Sequence, residues 1–290
     1  MAGYADRMNM QKCGSYHTHS LYCDGNDSIR DMVDAATSQG MAALGMSSHA
    51  PCPEHNVPCL AAEAFPVYLD EIRTLGKEYT GTIKVYAAME CEYMDRSSIL
   101  WGMEYQDRLD YVIGSVHSMY HDPASRPFSI DGPVEQFEAL LHEKFSGRIQ
   151  DFSAYYYELQ KRMIKDFRFD FLGHCDLITK HNRNNKYFNP DEPWYRRQVD
   201  SMLETAALHN VRVEVNTGGV SRGYSTDFYP SAYMRKRCHD VGISMVVTSD
   251  AHAAKNVAFG FEQAFGCLKE AGYTCHDVFT DGQWESVEIG

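Results

Sequence analysis

The sequence predicts an α/β protein in which parallel strands alternate with helices around a closed or nearly closed barrel. Three observations carry this. Seven short apolar runs recur along the chain, most of them followed by an amphipathic helical pattern. Metal-ligating side chains stand just past the C-terminal ends of most of these runs, where barrel active sites are built. No glycine-rich dinucleotide fingerprint or P-loop follows the first strand, which weighs against the alternative, a doubly wound open sheet.

The first strand runs from about Cys13 into His17-Thr18-His19. Strand residues two apart share a face, so this pair aims two imidazoles at one point. Ser28 then caps a helix with Asp31 three residues on, Ile29, Met32, Val33 and Ala36 inward, and Gly40 closing it. A buried strand over 41–47 ends at Ser48-His49, and a helix over 65–79 turns Leu69, Ile72 and Leu75 inward. The third strand, 82–89, runs into Glu90-Cys91-Glu92, and 98–109 is expected to be helical. A strand over 110–116 delivers His117. The rhythm lapses over 119–152, an insertion with some helix around 134–145, and a helix over 153–167 restores it. The fifth strand, 169–173, ends at His174-Cys175-Asp176, and a helix begins near Pro193. An alternating strand spans 211–216. Pro230 opens the next helix, Gly242 stops it, and the seventh strand, 243–248, ends at Ser249-Asp250-Ala251-His252. A last helix over 257–271 and a terminal edge strand over 273–279 complete one domain spanning 1–290, with residues 1–12 a polar leader.

Composition narrows the function classes. The 290 residues are 44% hydrophobic and 23% charged, as in ordinary soluble globular proteins. A formal charge of −13 argues against a nucleic-acid-binding surface. No stretch approaches the roughly 18 continuous apolar residues of a membrane span, and the leader lacks the apolar core of a secretion signal. Nine scattered cysteines fit free thiols in the cytoplasm better than a disulfide framework. Cys52 and Cys59 bracket a short loop whose spacing is wrong for a structural zinc site.

Gathered from the strand ends, His17, His19, Asp24, His49, Glu90, His117, His174, Asp250 and His252 supply six imidazoles and three carboxylates. That is too many donors for one ion and suits two or three ions joined by a bridging carboxylate. Such donors accept zinc, iron or manganese. Of the other histidines, His55, His142, His209, His239 and His276 are expected on the surface or on helices. His121 and His181 lie in loops on the active-site side, within reach of a substrate.

The ordered set His17-Thr18-His19, Ser48-His49, Glu90, Ser115-Val116-His117, Gly173-His174-Cys175-Asp176 and Ser249-Asp250-Ala251-His252 resembles the polymerase-and-histidinol-phosphatase (PHP) superfamily over about residues 13–260. Asp24-Gly25, His49-Ala50-Pro51, Glu90-Cys91-Glu92-Tyr93, the insertion after His117 and Glu214-Val215-Asn216-Thr217-Gly218-Gly219 sharpen the resemblance to its monofunctional histidinol-phosphate phosphatases. The resemblance implies a distorted (β/α)7 TIM-like barrel with the active site at the C-terminal ends of the strands and a centre of three divalent ions (Zn, Fe or Mn). His17, His19, Glu90 and Asp250 would hold the first ion. Glu90 would bridge to a second completed by His117 and His174, and Asp24, His49 and His252 would hold the third. The sequence has Glu92 where many members carry Asp; both Glu90 and Glu92 could bridge, and the motif alignment favours Glu90.

A metal cluster of this kind suits phosphate-ester hydrolysis, since it turns bound water into hydroxide near neutral pH and neutralises phosphoryl oxygens. Asp250 and His252 are the expected catalytic groups. Arg222 and Lys180 sit in strand-end loops as the expected phosphate-binding residues, with Arg183 able to replace Lys180. Asp176 is expected to orient a ligand histidine. Tyr155, Tyr156 and Tyr157, with Phe128 and Tyr120, could stack on an imidazole ring, but a core role is preferred. The implied reaction is hydrolysis of L-histidinol phosphate, a small-molecule substrate in histidine biosynthesis, to L-histidinol and phosphate, in the cytoplasm and without nucleic-acid or membrane partners. Two alternatives are a phosphodiesterase or exonuclease acting on nucleotides, which the acidic charge disfavours, and a non-catalytic metal-binding domain, which the complete set of ligands disfavours. The sequence leaves the oligomeric state open.

Overall fold

The computed structural model describes residues 13–54, 58–120 and 126–290; the leader 1–12, His55 and His121 fall outside them. Seven strands, β1 (Gly14–Ser15), β2 (Ala43–Met46), β3 (Lys84–Met94), β4 (Tyr111–Ser115), β5 (Phe171–Leu172), β6 (Arg212–Asn216) and β7 (Met245–Thr248), lie side by side in chain order. Every neighbouring pair is parallel, with Leu44 opposite Val85, Glu90 opposite Ile113 and Val213 opposite Met245. No ladder joins β7 to β1. The seam is held by a bridge between Thr18 and Ala251, by the His19 N–H donating to the Ala251 carbonyl at 2.9 Å, and by the Ser15 and Ser249 hydroxyls at 2.8 Å. The result is a nearly closed, irregular barrel.

Six helices coat its outside: α1 (Ile29–Ser38), α2 (Phe65–Glu78), α3 (Ile149–Asp166), α4 (Pro193–Leu208), α5 (Ala232–Asp240) and α6 (Phe261–Ala271). α1 begins with the expected capping box, Ser28 Oγ accepting the Asp31 N–H and the Asp31 carboxylate accepting the Ser28 N–H, both at 3.1 Å. Its buried stripe is Ile29, Met32, Val33 and Ala36. α2 and α4 carry proline in the first turn, where the missing N–H costs nothing. None of the helices among the described residues is long and apolar enough to cross a membrane, and no disulfide joins the nine cysteines.

Three segments depart from the sequence expectation. Residues 98–109 are not one helix: Ile99–Trp101 pairs antiparallel with the end of β3, and a 3-10 turn, Met103–Arg108, follows. Gly102 makes the switch at φ +104°, so close to β3 that a Cβ there would meet Cys91 Sγ at 2.7 Å. Within the insertion, Ser118–Tyr120 pairs unexpectedly with Pro127–Ser129, whereas Val134–Ala139 is helical as expected. The terminal segment is no edge strand of the barrel: Cys275–Thr280 pairs with Gln283–Glu288 as a separate hairpin. That hairpin buries His276 against Phe265, at 4.7 Å between ring centroids, rather than leaving it on the surface.

The hairpin closes one end of the barrel. Tyr16, Tyr86, Tyr111 and Phe171 form an aromatic layer, and Phe279 and Trp284 pack into it with Trp284 5.2 Å from Tyr16. Tyr156 and Tyr157 belong to the main core, and Tyr155 donates to Asp95. Neither the tyrosine run nor Phe128 and Tyr120 lines the cleft at the other end, in keeping with the core role.

Candidate metal centre

At the opposite end the strands finish in polar side chains. His17 and His19 follow β1 with ring centroids 5.2 Å apart, Thr18 between them being tied to Gly45 and Ser47. His49 extends β2 and is bridged to Glu90 in β3. His117, His174 and Asp250 each stand two residues beyond β4, β5 and β7, and His174 and Asp250 take positive φ of 23° and 46°. Strained backbone of this kind turns a side chain into the barrel mouth. Gly218 makes room for it, since a Cβ there would lie 2.8 Å from Asp250 Cβ.

Glu90 is the hub. Its Oε2 lies 3.2 Å from His17 Nε2, 3.5 Å from His19 Nε2 and 3.1 Å from His49 Nδ1. Its Oε1 lies 3.2 Å from His117 Nε2 and 2.9 Å from His174 Nε2, and accepts the Ser115 hydroxyl at 2.7 Å. Each oxygen therefore faces a different set of imidazoles, the disposition a bridging carboxylate needs. Glu92 is placed otherwise: it accepts from the backbone N–H groups of His117 and Ser118 and pairs with His117 Nδ1 at 2.5 Å. Asp250 Oδ1 is 3.3 Å from His19 Nε2 and 3.8 Å from His17 Nε2. Asp24 gathers the last group, 3.1 Å from His252 Nε2, 3.6 Å from His49 Nε2 and 3.4 Å from His19 Nδ1. All nine residues expected as ligands thus converge, in overlapping groups whose donor atoms lie within 4.8 Å of one another.

The donors fit divalent cations. His17 Nε2, His19 Nε2 and Asp24 Oδ1 are buried without a hydrogen-bond partner, a costly state for polar atoms unless something else takes up their lone pairs. Imidazole and carboxylate donors about 2 Å from a shared ion would do so. Electrostatics agree. Burial opposes ionisation of Glu90, but His17, His117 and His49 outweigh it and hold its carboxyl well below the usual range. Burial likewise disfavours the His17 imidazolium, yet Glu214, Glu90 and Asp250 raise its pKa to about 10. The negative field that attracts a proton there attracts a metal ion as well, so the two compete.

Glu214 is the residue that the sequence reading left without a role. Fully buried in β6, it lies 3.0 Å from His17 Nδ1 and accepts the His174 N–H at 2.7 Å and the Thr248 hydroxyl at 2.7 Å. With an ion bound, its carboxylate would hold the proton on His17 Nδ1 and leave Nε2 for the metal. Strand alternation held the signal, since Glu214 occupies an interior position between two outward valines. Asp176 departs from expectation: it accepts the Ser231 N–H at 2.8 Å and touches no ligand histidine, and burial raises its pKa to about 7. His181 packs near Phe137 and does not line the cleft. Cys52 and Cys59 join no metal-binding group among the described residues.

Above the cluster opens a cleft of about 240 Å³. Arg222 and Lys180 both line it, along with Tyr224, Tyr229, Leu177 and Asp131. Arg222 is already engaged, donating to the Asp250 carbonyl at 2.7 Å and to Asp250 Oδ2 at 2.9 Å, with His252 Nδ1 2.7 Å away. Lys180 donates to the Asp131 carbonyl and sits 4.2 Å from the centre of the Tyr224 ring. Arg183 does not line the cleft.

A PHP domain model matches residues 15–218, most of the chain and most of the site. The chain belongs to the PHP domain family. It is similar to the probable histidinol-phosphatase of Deinococcus radiodurans, at 26% identity over 88% of this chain and 92% of that one. It is also similar to the histidinol-phosphatase of Bacillus subtilis, at 24% identity over 85% of this chain and 96% of that one. Its fold matches a solved structure of the histidinol phosphate phosphatase from Lactococcus lactis with a TM-score of 0.67 and 18% identity, over 94% of this chain and 99% of that one. That structure was determined in complex with zinc, L-histidinol and phosphate.

Proposed function

We propose that this PHP chain is a metal-dependent phosphomonoesterase that hydrolyses L-histidinol phosphate to L-histidinol and phosphate. One observation carries the reading: a buried hub carboxylate, ringed by imidazoles among which His17 and His19 each keep an unpartnered Nε2, lies beneath a small cleft walled by Arg222 and Lys180. The similarity to histidinol-phosphatases supports the choice of substrate. His17, His19, Asp24, His49, Glu90, His117, His174, Asp250 and His252 would hold three divalent ions of zinc, iron or manganese, with Glu90 shared between two of them. Such ions supply an acidified water and neutralise phosphoryl oxygens.

The chain's own groups supply the rest. Glu214 and Glu92 lock the rings of His17 and His117 from behind. Arg222, already fixed on Asp250, turns its guanidinium toward the phosphoryl group, and Lys180 adds a second positive charge from the facing loop. Asp250 remains ionised, since Arg222 and His17 outweigh its burial, and is placed to accept the proton of the attacking water. The water oxygen bonds to phosphorus, the phosphorus–alkoxide bond breaks, and the proton that Asp250 takes from the water passes to the departing alkoxide, which leaves as the alcohol.

The test is a panel of L-histidinol phosphate, other phosphomonoesters and single-stranded DNA, offered to metal-loaded protein. Preferred turnover of L-histidinol phosphate is expected, and turnover of DNA without it would overturn the reading. Arg222→Ala should lower kcat/KM by about 10²-fold or more while metal content stays near the wild-type value.

A further inference from the structure

Four carboxylates line the cleft among the described residues: Asp24, Glu90, Asp131 and Asp250. Three of them face imidazole nitrogens within 3.3 Å. Asp131 stands apart from every metal-binding group. It comes from the insertion rather than from a strand end, and Ser129 Oγ donates to its Oδ1 at 2.8 Å. Its Oδ2 lies 3.4 Å from Lys180 Nζ, and Lys180 also donates to its backbone carbonyl. Its side chain keeps 26% of its exposure, toward the cleft it lines. The cleft thus presents a cation and an anion side by side, with the Lys180 ammonium over the ring of Tyr224.

A simple phosphate monoester has no use for that anion, because a carboxylate beside a phosphate site repels the ligand. An ester carrying a protonated amine two carbons from its ester oxygen has a matching use for both charges: phosphate toward Lys180 and Arg222, ammonium toward Asp131. We propose that Asp131 is the specificity-determining residue, accepting a charge-assisted hydrogen bond from the ammonium group of a β-aminoalkyl phosphate; this rests on the phosphomonoesterase reading above. Asp131 takes no part in the chemical step. It orients the ester and rejects phosphates lacking the amine, as a buried polar partner left unpaired does.

Asp131→Asn tests this, because it removes the charge while keeping the backbone carbonyl that holds Lys180. Metal-loaded wild-type and variant proteins are compared on L-histidinol phosphate and on its desamino counterpart, 3-(imidazol-4-yl)propyl phosphate. The expected result is a KM for L-histidinol phosphate raised about tenfold or more, with kcat changed less than about threefold, and the desamino ester turned over more efficiently once the repelling carboxylate is gone. Calorimetry should show L-histidinol binding weakened by a similar factor, and Asp131→Glu should restore part of the discrimination. Lys180→Met serves as the contrast and should impair both esters alike. Equal losses on both esters with Asp131→Asn, or no loss on either, overturn the proposal. Wild-type protein that turns over neither ester contradicts the underlying phosphomonoesterase reading and this proposal with it.

Discussion

At one end of the barrel the strands are filled by Tyr16, Tyr86, Tyr111 and Phe171 under the Phe279–Trp284 plug; at the other they carry His17, Glu90, Glu214 and Asn216. Neighbours in sequence divide between the two: Tyr16 belongs to the aromatic layer and His17 to the polar one. The aromatic end needs no partner beyond its own shape, since burying apolar surface is favourable wherever it occurs. The polar end is stable only through reciprocity, because each buried charge costs several kcal/mol unless it is matched. Its groups therefore come as sets, and some donors stay unpartnered until a cation joins them. The contrast shows one end serving as a packed apolar foundation and the other as a charged site held by matched polar groups.

The sharpest way to break this contrast is at the hub. Glu90→Gln should cost at least about 10³-fold in kcat, and the protein should lose most of its bound metal, as read by steady-state kinetics with elemental analysis. At the other end, Phe279→Ala should lower unfolding free energy by about 3 kcal/mol in urea titrations, while metal content and kcat of the folded protein stay near wild type. Loss of metal in Phe279→Ala would show that the two ends are not separable.

Two smaller effects refine the picture. Glu214→Gln should weaken metal affinity by about 10–100-fold in a competition assay with a chelator, and should lower the Tm of the metal-free protein, where it removes the charge matched to His17. His276, buried beside Phe265, provides a pH signature remote from the metals. Burial lowers its pKa from 6.5 to about 4, with Asp277 only partly opposing. The folded state therefore resists a proton that the unfolded chain accepts, so stability is complete above pH 6.5 and declines as the pH falls toward 4. His276→Leu should flatten that decline, by on the order of 1–2 kcal/mol between pH 6.5 and 5.

Much of this architecture was legible in the sequence, for physical reasons. Ligands placed just past apolar runs were found because strand direction and the barrel rule together say where such side chains gather. Helix α1 was legible from Ser28 and Asp31 because capping is local chemistry. Segments governed by long-range packing were not. Ile99, Leu100 and Trp101 form a strand only because β3 runs on beside them, which no local pattern reveals. The orientation of Asp176 escaped because His174 takes a positive φ, and alternation cannot be carried through such a residue. Asp131 lies in an insertion without periodicity, so nothing in its neighbourhood pointed to the cleft. Glu214 was within reach: its interior position follows from alternation along β6, but its partnership with His17 needs the fold.

The most direct test of a carboxylate-bridged metal centre is elemental analysis of wild-type protein reconstituted with zinc, iron or manganese. About three divalent ions per chain are expected. Fewer than about one ion per chain, in protein that still hydrolyses L-histidinol phosphate, would contradict the role given to Glu90 and the imidazoles around it.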